Sequence, residues 1–331
     1  MHTNSPPGEI AQRTAVRKLT ITADDADQRI DNFLRRHLPG VPKSRVYRFL
    51  RRGEVRVNGG RVRADHRLQT GDVVRIPPAH INKAAPPPAR SRVDDLAASV
   101  IFEDKYLLVI NKPGGVAVHG GSGISHGVVE LLRAARPQFK DLSLVHRLDR
   151  ETSGCLVLAK RRSALRALHQ LFREGRVEKN YLALVAGDWQ QGEQLIDAPL
   201  LVTNRRGGER HVVVATDGKA AKTRVKLSRA YGNYSLMQCQ PLSGRTHQIR
   251  VHLAAAGHPI AGDERYGNPD VNARAHAHGL QRLFLHAQSI SFPDLNGNEQ
   301  HFVAPLADDL ESFLQGGVSG RKRRRSRSTT K

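Results

Sequence analysis

The apolar positions change period several times along the chain, and each change marks an element. Ile30, Phe33, Leu34 and Leu38 recur at three- and four-residue spacing and predict a helix. A second short helix is expected after Pro42. It buries Val46, Phe49 and Leu50 and leaves Lys43, Arg45, Arg48, Arg51 and Arg52 on its other side. In EVRVNGGRVR the period falls to two, and Asn58-Gly59 between alternating valines signals a hairpin. A turn at Thr70 to Asp72 leads into a last strand, VVRI. PPAHINKAAPPPARSR then breaks the pattern and reads as a Pro/Ala-rich linker, semi-extended by its prolines.

Beyond the linker the apolar runs are short and numerous. VIFEDKYLLVINKP reads as two strands, and NYLALVAG, TRVKLSRA, YSLMQCQPL, LFLHAQSISF and EQHFVAP as five more. SALRALHQLFREG predicts a helix with Ser163 as N-cap and Gly175 past its end. GRTHQIRVHLAAAG predicts another, closed by Gly257, with Ile249 and Leu253 on its buried face and Arg250 at the rim. Strands that succeed one another without alternating helices imply an α+β fold with a mainly antiparallel mixed sheet. The resulting division is a disordered N-terminus (1–14), a small α/β unit (15–78), a linker (79–97), a larger domain (98–316) and a basic disordered tail (317–331).

Charge sharpens this outline. The formal net charge is +22, and the excess is clustered, which steers a protein toward polyanions, of which nucleic acid is the commonest. The tail GRKRRRSRSTTK reads either as a solubilising end or as an RNA arm whose binding falls steeply with salt. Cys155 and Cys239, the two cysteines, lie far apart, so neither a disulfide framework nor a paired zinc site is expected, and a reducing cytoplasm is. The N-terminus has no secretory h-region, and no apolar run is long enough to span a bilayer. The 16 histidines are scattered, without H-E-x-x-H or C-x-x-C, so no metal is expected.

Two stretches carry candidate chemistry. HGGSGISHG contains a G-x-S-x-G match and an esterase-like HGG start, but a hydrolase needs those features on different strand ends. Their overlap within nine residues, and the missing βαβ alternation, argue for a Gly-rich loop whose backbone N–H groups could line a phosphate or sugar site. The second stretch is VHRLDRETSG. Apolar residues lead in (Leu144, Val145, Leu148) and out (Leu156, Val157, Leu158), so Asp149 sits on a short loop between two core strands. A carboxylate there is partly desolvated and calls for a cationic partner.

HRLDRETSG resembles the central motif of the RluA-type pseudouridine synthases, in which the Asp is catalytic. EKNYLALVAG resembles their second motif, PLSGRTHQIRVHLAAAGHPIAGDERYG their third and RLFLHA their last; Ser243 stands where Thr is frequent. QRIDNFLRRHLPGVPKSRVYRFLRRGEVRVNGGRV resembles the S4 RNA-binding domain. The resemblance spans roughly Ala15 to Leu314. It implies isomerisation of uridines to pseudouridine in 23S large-subunit ribosomal RNA by a cytoplasmic monomer, with no cofactor and no obligate protein partner. It implies Asp149 as nucleophile or base, Arg250 as its ion partner and Tyr181 stacked on the base. Arg147 would fill the gap left by a flipped nucleotide, Leu285 or Leu283 would form the apolar wall, and His146 would line the substrate side. Lys43, Ser44, Arg45, Arg48, Arg51, Arg52 and Asn58 would contact RNA from the S4 unit. Glu151 is expected to be structural, Cys155 a buried filler, and His247, Gln248 and His252 helix-side polar contacts. The competing class, a non-catalytic S4 RNA-binding protein, would be free to lose Asp149.

Overall fold

The computed structural model describes residues 15–38, 40–79, 88–120, 126–139, 141–204 and 210–317. The expectations for the N-terminus, the tail and most of HGGSGISHG fall outside the described residues. The chain divides at residues 87 and 88 into two compact units.

The first unit contains β1 (Arg17–Thr20), α1 (Ile30–His37), α2 (Lys43–Arg52), β2 (Arg56–Val57) and β3 (Val73–Ile76), with the strands ordered β1-β3-β2. The helical periods bury the residues they predicted: Ile30, Phe33 and Leu34 on α1, and Val46, Phe49 and Leu50 on α2. These pack with Ile21, Val55, Val57, Leu68, Val74 and Ile76 into one core. Gly53, at φ 68°, ends α2 in the left-handed conformation that glycine adopts without strain. Asn58 and Gly59 form the expected tight turn, with Val57 and Gly60 exchanging backbone hydrogen bonds. The arm after the turn is not a strand; β2 pairs with β3 instead.

The second unit begins earlier than the linker reading allowed. Residues 90–97, assigned to the linker, lie in α3 (Arg90–Ala98), because Val93 and Leu96 find an apolar partner in α4 (Val128–Ala135). Among the described residues the unit's sheet has ten strands: β4 (Val100–Glu103), β5 (Leu107–Lys112), β6 (Ser143–Leu144), β7 (Ser153–Ala159), β8 (Glu178–Ala186), β9 (Gln194–Asp197), β12 (Lys222–Tyr231), β13 (Tyr234–Pro241), β14 (Leu285–Pro293) and β15 (Glu299–Val303). β10 (Leu200–Asn204) and β11 (Arg210–Val214) form a separate hairpin. The sheet path is β4-β5-β7-β14-β8-β13-β12-β9, antiparallel throughout except between β7 and β14. This is the expected α+β architecture.

Helix α5 (Arg162–Arg173) covers one part of the sheet through Ala164 and Leu168. Its N-cap is Arg161, without a side-chain hydrogen bond, so Ser163 lies inside the helix rather than capping it. Helix α6 (Gln248–Ala255) packs against another part of the sheet. It is followed by α7 (Pro269–Ala277) and α8 (Asp308–Ser312). No helix among the described residues is long and apolar enough to cross a membrane.

The parallel seam positions the site. β7 and β14 pair only through Ser153 with His286 and Gly154 with Ala287, after which each strand takes a different neighbour. Gly154 has φ 111°, and a Cβ there would lie 2.2 Å from the Ala287 carbonyl oxygen. Only glycine lets the strands approach this closely.

Candidate active site

The loop Val145 to Thr152 enters at this seam, between β6 and β7. Both of its ends are fastened. At the first, the Val145 N–H donates to the Val157 carbonyl at 3.2 Å, and the Val157 N–H donates to His146 Nε2 at 3.1 Å. The imidazole stacks on Phe172 of α5 at 5.4 Å. Burial, aided by the charge of Lys179, pushes it down to about 3, so the ring is neutral with its proton on Nδ1. His146 thus lines the cleft, but its Nε2 is committed to strand backbone and its role is to fix the loop.

At the other end, the Thr152 N–H donates to the Asp149 carbonyl at 3.2 Å. Lys112, fully buried at the end of β5, donates from Nζ to the carbonyls of Pro113 (2.8 Å), Val116 (2.9 Å) and Arg150 (3.1 Å). Burial pushes its ammonium down to about 7; Arg282 lowers it further, while Glu151 and Asp149 pull the other way. Nothing in the sequence singled out this lysine.

Between these fastenings the Asp149 side chain is 30% exposed and faces two cavities, of about 1010 and 980 Å³. Arg147, exposed, lines both. Tyr181 and Leu285 line the first cavity and Leu283 the second, so Leu285 is the wall on the tyrosine side. Tyr181 is half-buried on β8 between Cys239 of β13 and Ala287 of β14. Burial, and then the nearby Asp149 charge, push its hydroxyl well above the ordinary phenol range, so it stays protonated.

Arg250 approaches Asp149 as expected, with Nη1 3.5 Å from Oδ2. Its setting differs from the expected helix rim. Every residue of α6 from Gln248 to Leu253 is buried, because β10–β11 and the following loop cover the face that a two-layer amphipathic helix would expose. The tightest partner of Arg250 is Asp263, reached from Nε at 2.8 Å and Nη2 at 2.7 Å. Burial alone would raise the Asp263 carboxyl, but Arg250 and the N–H groups of Arg265 and Tyr266 hold it below the usual range. Gln248 pins the preceding loop: its Oε1 accepts from the Ser243 hydroxyl and the Arg245 N–H, and its Nε2 donates to the Lys222 carbonyl. Serine at 243 therefore supplies the needed hydroxyl. His252 is buried against Thr223 and the Ala198 carbonyl. Cys155 is buried and its thiol pushed up to about 11 by burial, as a filler would be. Glu151 pairs with Arg150 at 2.7 Å.

The loop around His119 is closed by Glu130, which accepts from the N–H groups of Gly120 (3.0 Å) and Gly127 (2.9 Å). Those two donors are thus taken by a carboxylate rather than offered to phosphate.

In the first unit, Lys43, Ser44, Arg48, Arg51 and Arg52 are exposed on α2, and Arg45 is half-buried with its guanidinium 5.7 Å from the Phe49 ring. Asn58 is exposed, with its side chain engaged within the unit. Its amide donates to Asp72 and accepts from the Val73 N–H, so its side chain locks the turn onto β3.

Comparison with known proteins gives the family. The family described as RNA pseudouridylate synthase matches residues 106–255, and the S4 domain matches residues 28–74. The chain is 51% identical to the ribosomal large subunit pseudouridine synthase C of Haemophilus ducreyi, over 90% of this chain and 95% of the relative. It is 50% identical to the Escherichia coli K12 protein of the same name, over 91% and 96%. Among solved structures, human RNA pseudouridylate synthase domain containing 4 superposes with a TM-score of 0.58 at 26% identity, covering 68% of this chain and 95% of that one. The chain belongs to the RNA pseudouridylate synthase family and is an isomerase that acts on RNA.

Proposed function

From that membership, we propose that the chain converts specific uridines of 23S large-subunit ribosomal RNA to pseudouridine, with Asp149 acting on a flipped-out nucleotide. The observation that carries this reading is one carboxylate at the mouth of a cleft, with Arg250 3.5 Å away and Tyr181 and Leu285 on the wall. The names of relatives about half identical to this chain support the choice of RNA.

The reaction breaks the C1′–N1 bond, turns the uracil and joins C5 to C1′; the proton lost from C5 is balanced by one gained at N1. Asp149 either attacks C1′ or removes a sugar proton, and Arg250 orients it for both. Tyr181 lies under the uracil. Stacking on an aromatic side chain contributes about 1–3 kcal/mol, against the few kcal/mol that extruding a base costs. Affinity therefore comes largely from phosphate contacts, supplied by the exposed cations of α2, while Arg147 fills the gap that the flipped nucleotide leaves. The enzyme works as a cytoplasmic monomer on RNA alone.

The test is chemical mapping of pseudouridine in unmodified large-subunit RNA after incubation with the protein, with Asp149→Asn in parallel. New signals at a few uridines, absent with the variant, are expected. Equal signals from both proteins would remove Asp149 from the reaction, and no signal from either would reject this RNA as substrate.

A further inference from the structure

Arg250 is not the only side chain at the Asp149 carboxylate. His247 places Nε2 3.8 Å from Oδ2, the same oxygen that Arg250 approaches. His247 immediately precedes α6 with φ 55°, a left-handed conformation that costs a non-glycine residue about 1 kcal/mol or more. Such a backbone persists only where its surroundings fix it. Here they do so through Tyr266, whose hydroxyl lies 2.7 Å from His247 Nδ1.

The tautomer of His247 follows from what its two ring nitrogens face, a hydroxyl at Nδ1 and a carboxylate at Nε2. The Tyr266 hydroxyl already accepts the Val212 N–H of β11 at 3.1 Å. Its ring stacks with His211 at 5.0 Å and lies 5.0 Å from the Arg250 guanidinium. If the hydroxyl donates to Nδ1, the imidazole proton sits on Nε2 and points toward the Asp149 carboxylate. The opposite tautomer would set a lone pair against an anion. Asp149, Asp263, Arg250 and Arg265 are the charged groups around the ring, and burial together with the two arginines keeps it neutral.

We propose that His247 is a positioning residue for Asp149: Tyr266 fixes its tautomer, and its Nε2–H and the Arg250 guanidinium together anchor Oδ2, leaving Oδ1 to the substrate. The chain Val212, Tyr266, His247, Asp149 also ties the reacting carboxylate to the β10–β11 hairpin. This inference rests on the reading of Asp149 as the reacting group, but not on which RNA is the substrate.

Two replacements of His247 separate its atoms. His247→Asn tolerates the left-handed backbone and keeps an acceptor for Tyr266, but loses the N–H aimed at Asp149. His247→Gln restores an N–H at about the reach of Nε2. Full-length variants are compared by single-turnover conversion of an RNA that wild type modifies, by RNA dissociation constant and by thermal melting. His247→Asn is expected to lower the rate of the bound complex about 10- to 100-fold, since small misplacements of a reacting group have effects of that size. RNA affinity should stay within about twofold, and His247→Gln should recover most of the rate. Tyr266→Phe should lower the rate about 3- to 10-fold and add little on top of His247→Asn. Equal rates for the Asn and Gln variants, or a loss confined to RNA affinity, would overturn the proposal. An idle wild-type enzyme on large-subunit RNA would instead overturn the substrate reading.

Discussion

Replacing Asp263 with Asn should destabilise the catalytic unit far more than replacing Asp149, although Asp149 is the group assigned to the reaction. The Asp263 side chain is 1% exposed. It accepts four N–H groups: Arg250 Nε and Nη2, and the backbone of Arg265 and Tyr266. An amide in its place would turn an NH2 toward a guanidinium N–H and leave a buried arginine without its close anion. Breaking a buried pair from one side costs about 3–5 kcal/mol, a large part of the roughly 5–15 kcal/mol that holds a domain folded. Asp149 is 30% exposed and meets Arg250 through one contact at 3.5 Å, so its loss should cost less than about 1 kcal/mol. With a urea slope of about 2 kcal/mol per M, the expected midpoint shifts are about 2 M for Asp263→Asn and under about 0.5 M for Asp149→Asn. The assay is urea unfolding of the full-length protein, read in the transition of the catalytic unit; that of the S4 unit should not move. Similar shifts for both variants, or a larger one for Asp149→Asn, would refute the assignment of Asp263 as the principal partner of Arg250.

Three further outcomes are expected. Gly154→Ala should destabilise by more than about 3 kcal/mol, because its Cβ would meet the Ala287 backbone at φ 111°; a melting temperature within a degree or two of wild type would contradict the close approach. Glu130 has a folded pKa lowered to about 2: burial opposes this, but His119 and the Gly120 and Gly127 N–H groups outweigh it. A carboxyl depressed in this way adds stability above its unfolded pKa, and that stability is lost as pH falls through the folded pKa. Glu130→Gln should therefore flatten the fall in stability between about pH 4.5 and pH 2; an unchanged acid limb would show that the carboxylate does not hold the loop. Arg48→Ala with Arg52→Ala should weaken RNA binding and reduce the slope of log affinity against log salt by about one per lost phosphate contact; an unaltered slope would remove α2 from the interface.

Periodicity made much of the fold legible. Helical spacing located α1 and α2, which bury one face each, and short apolar runs located most of the strands, among them β7, buried along its whole length. These signals failed where a helix buries too few residues or nearly all of them. Helix α3 lay hidden in a Pro/Ala-rich stretch, since one buried residue, Leu96, and one half-buried, Val93, are too few to set a period. Helix α6 looked amphipathic and is buried on all sides, so Arg250 seemed to belong at a rim. Motif order brought Asp149, Tyr181, Arg250 and Leu285 together. It assigned no part to Lys112 or Asp263, because a sequence shows that a residue is charged but not that it is buried. The Lys112 bond to the Arg150 carbonyl spans 38 residues, and the Arg250 bond to Asp263 spans 13.

The buried Asp263 also bears on the chemistry. Sugar–base cleavage with a free water usually employs two carboxylates, one of them protonated or poised as a base. This site has a second carboxylate beside Arg250, yet that carboxylate is unsuited to such a role. Asp263 is shut from solvent, its oxygens are filled by four N–H donors, and its pKa is depressed, so it neither gives nor takes a proton near neutrality. Glu151, two residues from Asp149, is paired with Arg150. That leaves Asp149, the carboxylate proposed to react, on a loop clamped by Lys112 at one end and His146 at the other. If Asp149 reacts alone, as proposed, neither of these neighbouring carboxylates is free to activate water, and the arrangement suits isomerisation better than a two-carboxylate hydrolysis.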